Sequence, residues 1–336
     1  MMIKLLDCTL RDGGHVNSAL FGEACIKNIV KTLIDVGMDF IELGFLKSVN
    51  YSVNTALFPK LEDAYRFLPK EDCNVDFSLM VRSDVFNVKG LSECTGRIKI
   101  IRIAFYYNDL DGAILWGQEA KAKGFDVIFN PVNIMGYTKD ELLIMLDKLN
   151  CVSPYAITIV DTFGSMMPED LESIFPLFNE HFYDNGKIGF HPHDNLCMAF
   201  SLAQEFIRLS ENTKREVIID ASLMGMGRLP GNLPVELIAD YLNNRKASCY
   251  KTQLLSKVIG EEIIPMKQEY KWGYSPAYFI SARNNVHRSY AEHLEKKELS
   301  LHMIDKVISS IPQEKAGRFD REFVETLVTD VIKDYV

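Results

Sequence analysis

The segment Asp7-Cys8-Thr9-Leu10-Arg11-Asp12-Gly13-Gly14-His15 stands near the start of a 336-residue chain. Ile3, Leu5, Leu6, Cys8 and Leu10 form a short apolar run that reads as a strand over residues 3–10. The run stops at Arg11-Asp12-Gly13-Gly14, a polar turn of the kind that paired glycines allow. A cation, a carboxylate and an imidazole at a strand end are costly to half-bury without a role. A polar strand-to-helix turn with a helix cap would also use these residues. A second stretch, Lys187-Ile188-Gly189-Phe190-His191-Pro192-His193-Asp194-Asn195, has the same form, a short strand with a polar end followed by a helical pattern. Alternate residues of a strand share a face, so His191 and His193 point the same way. Two imidazoles on one face make half of a divalent metal site. Asp12 is the third ligand if the fold joins the two strand ends.

From residue 3 to about 244, β-type runs alternate with helical patterns. Strands are predicted over 3–10, 40–45, 75–81, 98–105, 127–132, 156–161, 187–193 and 217–222, each followed by a polar or glycine-containing turn and an amphipathic helix. Eight such units imply a (β/α)8 barrel, with a doubly wound open sheet as the alternative. No Gly-x-Gly-x-x-Gly follows the first strand, which argues against a dinucleotide-binding sheet. In a closed barrel only the eighth strand lies between Asp12 and the two histidines, and all three fall at the C-terminal strand ends where barrel enzymes place their active sites. After Tyr241 the alternation stops. Helical patterns over 252–262, 276–290, 299–309 and 321–336 mark a C-terminal helical region, dividing the chain into a catalytic barrel (1–248) and a helical part (249–336) at or beside the barrel mouth.

The net charge of −9, with no Lys/Arg block or aromatic–basic interleaving, argues against nucleic acid as a partner. The seven scattered cysteines never fall in Cys-x-x-Cys spacing and read as reduced thiols of a cytoplasmic protein. No cationic, apolar N-terminal leader is visible, and no run approaches the ~20 apolar residues of a membrane helix.

Taken in order, Asp7-x-Thr9-Leu10-Arg11-Asp12-Gly13, His191-x-His193 and Gly225-Met226-Gly227…Gly231-Asn232 resemble the DRE-TIM metallolyases. That group includes isopropylmalate and homocitrate synthases, HMG-CoA lyase, pyruvate carboxyltransferase domains and 4-hydroxy-2-oxovalerate aldolases. The resemblance to the aldolases is greatest. His15 stands where they carry His and the synthases and the lyase carry Gln. Residues 219–227 are similar to their strand-8 end, and Trp272-Gly273-Tyr274-x-x-x-Tyr278 resembles their C-terminal Gly-Tyr segment. The chain departs from them at Asp194, at the loop 44–51, which lacks a Gly-Asp-Gly pattern, and at Arg228-Leu229-Pro230-Gly231, which replaces a Gly/Ala-rich loop. Those loops sit at the mouth and leave the aldehyde open, a larger or sugar-like one included.

The resemblance implies a class II aldolase that cleaves or forms a 4-hydroxy-2-oxo acid, with pyruvate enolate and an aldehyde as the halves. Asp12, His191 and His193 are the implied metal ligands, with Asn232 as a fourth ligand or a neighbour. The mixed oxygen and nitrogen set suits Mn²⁺ or Mg²⁺, with Zn²⁺ or Co²⁺ as alternatives. Arg11 is placed on the enolate oxygen, or in a salt bridge to Glu42. His15 is the base for the 4-hydroxyl, or a helix cap. Tyr274 is the proton relay, with Tyr278 as its competitor. Glu42, Arg102 and Asp161 are expected to line the substrate pocket, and Asp7 and Thr9 to fix the turn. An aldehyde dehydrogenase is the macromolecular partner implied, and a homo-oligomer is expected. A Claisen-type acyl-CoA synthase and a catalytically idle barrel subunit are the rival readings.

Overall fold

In a computed structural model, which describes residues 2–228 and 230–333, the apolar runs form eight parallel strands. They are β1 (Ile3–Asp7), β2 (Phe40–Leu46), β3 (Asp76–Arg82), β4 (Ile100–Phe105), β5 (Asp126–Pro131), β6 (Ala156–Asp161), β7 (Lys187–Pro192) and β8 (Val217–Ala221). Each pairs with its neighbour in sequence. β1 also pairs with β8, Ile3 opposite Val217 through Asp7 opposite Ala221, which closes a (β/α)8 barrel and excludes the open sheet. Helices Glu23–Val36, Leu110–Ala122, Lys139–Asn150, Pro168–His181, Ala199–Ser210 and Val235–Lys246 pack outside. The pattern is thinner than expected after β2 and β3, where only the 3-10 segments Leu61–Phe67 and Val88–Gly90 form. Pro59 and Pro69 bracket the first of these and leave too little chain for a longer helix.

β1 ends at Asp7, short of the predicted residue 10, because the chain turns on its own side chains. The Asp7 carboxylate accepts the Thr9 N–H (2.9 Å) and the Thr9 hydroxyl (2.9 Å). The Cys8 carbonyl accepts the N–H of Arg11 (3.2 Å) and of Asp12 (2.8 Å). Thr9 Oγ1 in turn accepts the Leu223 N–H (2.8 Å), tying this turn to the loop after β8. At Gly44 (φ 147°) β2 changes register, and a Cβ there would stand 2.0 Å from the Ala56 carbonyl oxygen.

Strand alternation sorts the barrel interior into layers. Leu6, Phe40, Ile100, Ile128, Ala156 and Ile218 fill the floor as an apolar plug. Two residues further along the same faces stand Glu42, Arg102, Asn130 and Asp220, all buried. Arg102 Nη1 donates to Glu42 (3.0 Å), and Nη2 donates to Asn130 (2.8 Å) and to Asp220. A charged layer thus sits directly on the apolar floor.

The C-terminal part is helical, but its packing divides beyond residue 248. Tyr250, Leu255, Val258, Ile263 and Trp272 belong to the barrel's own core. A separate core begins at Ala277 and includes Ile280, Val286, Tyr290, Leu294 and Ile308. The helix predicted over 276–290 breaks into Pro276–Arg283 and Ser289–Glu295. Asn285 adopts φ 48° at the break, a left-handed conformation that asparagine tolerates and that ends helices. All seven cysteines are unpaired, and no helix among the described residues is long and apolar enough to cross a membrane.

Replacing Arg102 by Met leaves the Glu42 and Asp220 carboxylates buried without their shared cation. The expected loss is about 3–5 kcal/mol of unfolding free energy, read from the urea midpoint; a loss under about 1 kcal/mol would show that this layer does not hold the barrel.

Candidate active site and metal centre

Asp12 leaves the turn after β1, and His191 and His193 leave the end of β7, one strand beyond β8. All three are buried, and their ligand atoms lie within 4.8 Å of one another. Asp12 Oδ2 is 3.6 Å from His191 Nε2 and 3.3 Å from His193 Nε2. Both imidazoles are oriented through the other nitrogen. His193 Nδ1 bonds the Asp161 carbonyl at 2.9 Å, and a carbonyl only accepts, so Nδ1 carries the hydrogen. His191 Nδ1 bonds the Asp220 carboxylate at 2.9 Å. Each neutral ring therefore offers its Nε2 lone pair toward Asp12.

The protein does not satisfy the atoms that face one another. Asp12 Oδ2, His193 Nε2 and Asn232 Oδ1 are buried without a hydrogen-bond partner. Ligands about 2.1 Å from one ion stand roughly 3.0–3.5 Å apart; the His193 spacing of 3.3 Å falls in that range and the His191 spacing of 3.6 Å just beyond it. A divalent cation fits this donor set, and Asn232, paired with His193 as an isolated bridge, is next to it. Gly227 is needed for that approach, since a Cβ there would meet Asn232 Nδ2 at 2.5 Å.

Charges set the protonation states. Burial works to raise the Asp12 pKa, but Arg11 and the two histidines hold it well below the usual carboxylate range. Burial likewise opposes the charge on Asp220, and Arg102 and His191 overcome it. His191 is drawn upward by Asp12 and Asp220 despite burial. Burial lowers His193 to about 4, with Arg288 adding to the effect. Arg11 Nε donates to Glu42 (2.6 Å) and Nη1 to Asp12 (2.8 Å), so it makes the expected salt bridge to Glu42 while lining the cavity.

The cavity has a volume of about 630 Å³ and is walled by Arg11, Asp12, His15, Asn130, His191 and His193 together with residues of the mouth loops. His15 stands on its wall, its side chain 40% exposed, edge-on to Phe45 and 3.8 Å from Asp12. The enclosing walls push its pKa down to about 3, with Arg288, Arg11 and Arg228 adding to the push and Asp12 opposing it. A ring this open stays partly solvated, so the direction is what matters for chemistry: His15 is neutral at neutral pH.

Other expected residues lie elsewhere. Glu42, Arg102 and Asp161 are buried but do not line the cavity. The first two belong to the charged layer beneath. Asp161 points away because its neighbour Val160 takes the inward face; its carboxylate accepts the N–H groups of Ser165 (2.9 Å) and Met166 (3.3 Å). Burial raises its pKa to about 7. Tyr274 is 60% exposed on an outer groove with Pro276 and Phe279, and Tyr278 does not line the cavity either. The helical region instead contributes His287 and Arg288, from the break after Asn285. The sequence reading missed both, and also Asp220. The Asn284-Asn285 pair within a helical pattern was the available signal for the first two, and a carboxylate on the inward face of β8 for the third.

Residues 113–260 match the model of the HMGL-like family. That stretch begins in the helix after β4, runs past β8 and covers less than half of the chain. Similar curated proteins include the oxaloacetate decarboxylase of Mycobacterium tuberculosis, 23% identical over 72% of this chain and 70% of that one. Another is a 4-hydroxy-2-oxovalerate aldolase of Bacillus thuringiensis, 20% identical over 88% of this chain and 85% of that one. Among solved structures, the N-terminal domain of a candidate aldolase from Bacteroides vulgatus superposes with a TM-score of 0.74 at 24% identity, covering 87% of this chain and 96% of that one.

Asp220 touches His191 but none of the other two expected ligands. Asp220→Asn is expected to weaken Mn²⁺ binding about 10–100-fold by calorimetry with the fold retained by circular dichroism. Unchanged affinity would separate Asp220 from the metal centre. In the unsubstituted protein, metal at 100 times its Kd is expected to add about 2.7 kcal/mol of stability, an increment that Asp12→Asn removes.

Proposed function

We propose that this carbon–carbon lyase is a divalent-metal-dependent aldolase that cleaves or forms a 4-hydroxy-2-oxo acid, with pyruvate enolate and an aldehyde as the two halves. The observation that carries the reading is the cluster of Asp12 Oδ2 with the Nε2 atoms of His191 and His193, in which Asp12 Oδ2 and His193 Nε2 are buried without a hydrogen-bond partner and each histidine is locked through Nδ1. Asn232 Oδ1 is a candidate fourth donor. Mn²⁺ or Mg²⁺ suits this oxygen and nitrogen set, with Zn²⁺ or Co²⁺ next. When bound, the ion supplies a Lewis acid that polarises the 2-oxo group.

The chain's own residues do the rest. Arg11 has Nε and Nη1 fixed by Glu42 and Asp12, which leaves Nη2 to donate to the oxygen on which enolate charge develops. Because both anchors are themselves buried, the guanidinium is held in place before the charge appears. His15 is neutral and reaches the cavity, so it can take the proton of the 4-hydroxyl on cleavage and return it on condensation. An anionic substrate would offset the nearby arginine charges and strengthen it as a base. Tyr274 has no part in this scheme. The relatives named as 4-hydroxy-2-oxovalerate aldolases support the same chemistry, and an intact constellation argues against an idle barrel.

Metal-loaded protein is expected to release pyruvate from a short 4-hydroxy-2-oxo acid, with EDTA abolishing the reaction. His15→Ala is expected to lower kcat about 10²–10⁴-fold while leaving metal-dependent decarboxylation of oxaloacetate, which needs no hydroxyl deprotonated, much less affected. Thiol release from an acyl-CoA with a 2-oxo acid, and no pyruvate release, would favour the Claisen synthase.

A further inference from the structure

The cavity wall is strongly cationic. Arg11, Lys47, Arg82, Arg228 and Arg288 line it, against the single carboxylate of Asp12. Most of these charges are already compensated. Arg11 pairs with Glu42 and Asp12, Arg82 with Asp84 at 2.6 Å, and Arg228 with Glu292 at 3.1 Å. Arg288 differs. It is only 8% exposed, and its hydrogen bond runs from Nη1 to the Thr162 carbonyl at 3.1 Å. Among the described residues no carboxylate forms an ion pair with it.

A nearly buried guanidinium without a counter-ion is expensive. Burial and the neighbouring Arg228 lower its pKa to about 10, so it nevertheless keeps its charge at neutral pH. Its guanidinium retains N–H donors beyond the one given to Thr162, in the fork that suits a carboxylate or a phosphate. His287 lines the cavity beside it, edge-on to Phe163. Arg228 donates to Ser289 on the following turn, which fixes the loop carrying both. The volume of about 630 Å³ lies in the range of drug-sized ligands and well exceeds a three-carbon 2-oxo acid. Arg11 already serves the metal side of the cavity, whereas Arg288 arrives from the helical cap.

We propose that the aldehyde half of the substrate carries an oxyanion, a carboxylate or a phosphate, and that Arg288 binds it. The proposal rests on the aldolase reading for the bond made or broken, but the anion site is a property of the cavity itself. It also assigns the helical cap a role in substrate choice. The turn after the break at Asn285 reaches the barrel mouth, where Arg288 is nearly buried.

The test condenses pyruvate with matched aldehydes on metal-loaded protein: butanal against succinate semialdehyde for the carboxylate arm, and glyceraldehyde against its 3-phosphate for the phosphate arm. The unsubstituted enzyme is expected to favour one anionic member by about 10–100-fold in kcat/KM, the scale of a charge-assisted hydrogen bond. The arm that responds identifies the oxyanion. Arg288→Met is expected to bring that ratio toward one, and Arg288→Lys to keep part of it. Pairs treated alike within about threefold would overturn the proposal. So would an Arg288→Met variant that loses neutral and anionic aldehydes equally, since Arg288 would then serve the 2-oxo acid half or the fold. Calorimetric titration of succinate and inorganic phosphate into both proteins separates the two readings. Arg288-dependent binding without any condensation keeps the anion site and removes the aldolase; condensation of neutral aldehydes without Arg288-dependent binding does the reverse.

Discussion

Arg11, Glu42, Arg102, Asp220, His191 and Asp12 form a closed ring of charged contacts inside the barrel, and the site depends on it. Arg11 joins Glu42 to Asp12, Arg102 joins Glu42 to Asp220, and His191 lies between Asp220 and Asp12. Every member is buried. The ring contains three carboxylates and two guanidiniums, so one negative charge remains for His191 or a bound cation to balance. That imbalance ties the fold to the metal site. Without an ion, His191 is drawn toward its protonated form by the two carboxylates that flank it; an ion placed among Asp12, His191 and His193 would displace that proton.

Such a ring is possible because the barrel supplies it with a floor. The apolar layer of Leu6, Phe40, Ile100, Ile128, Ala156 and Ile218 excludes water from below, and strand alternation then places the next inward residues level with one another. Each charge is costly alone and tolerable only with its neighbours. The resulting rigidity orients Arg11 and His191 before any substrate arrives, as the Asp161 carbonyl does for His193, the condition under which fixed dipoles and charges lower a barrier.

The barrel and the meeting of Asp12 with His191 and His193 were legible in the sequence because they rest on local patterns: apolar runs alternating with amphipathic segments, a His-x-His on one face, an Arg-Asp-Gly-Gly turn. What the sequence hid depends on tertiary packing. Glu42 and Arg102 were expected at the pocket wall, yet strand register places them one layer below it. Asp161 faces away because Val160 faces in. Tyr274, ahead of the first helix of this region, stays outside on a groove with Pro276 and Phe279, while the helix expected through residues 276–290 breaks at a left-handed Asn285 and the turn after it reaches the cavity with His287 and Arg288. No periodicity reveals which turn of a helical cap will face a barrel mouth; that follows from the separate core built around Ile280, Val286 and Tyr290.

The central claim is that this ring, together with His193, generates a 2-oxo acid enolate with a metal's help. The most direct measurement is exchange of the pyruvate methyl protons with D₂O, followed by mass spectrometry, which needs no knowledge of the aldehyde. The account predicts exchange that requires a divalent ion, disappears with EDTA and is lost in Asp12→Asn. Metal bound with a defined stoichiometry, and no exchange above the rate of the free ion in solution, would contradict it.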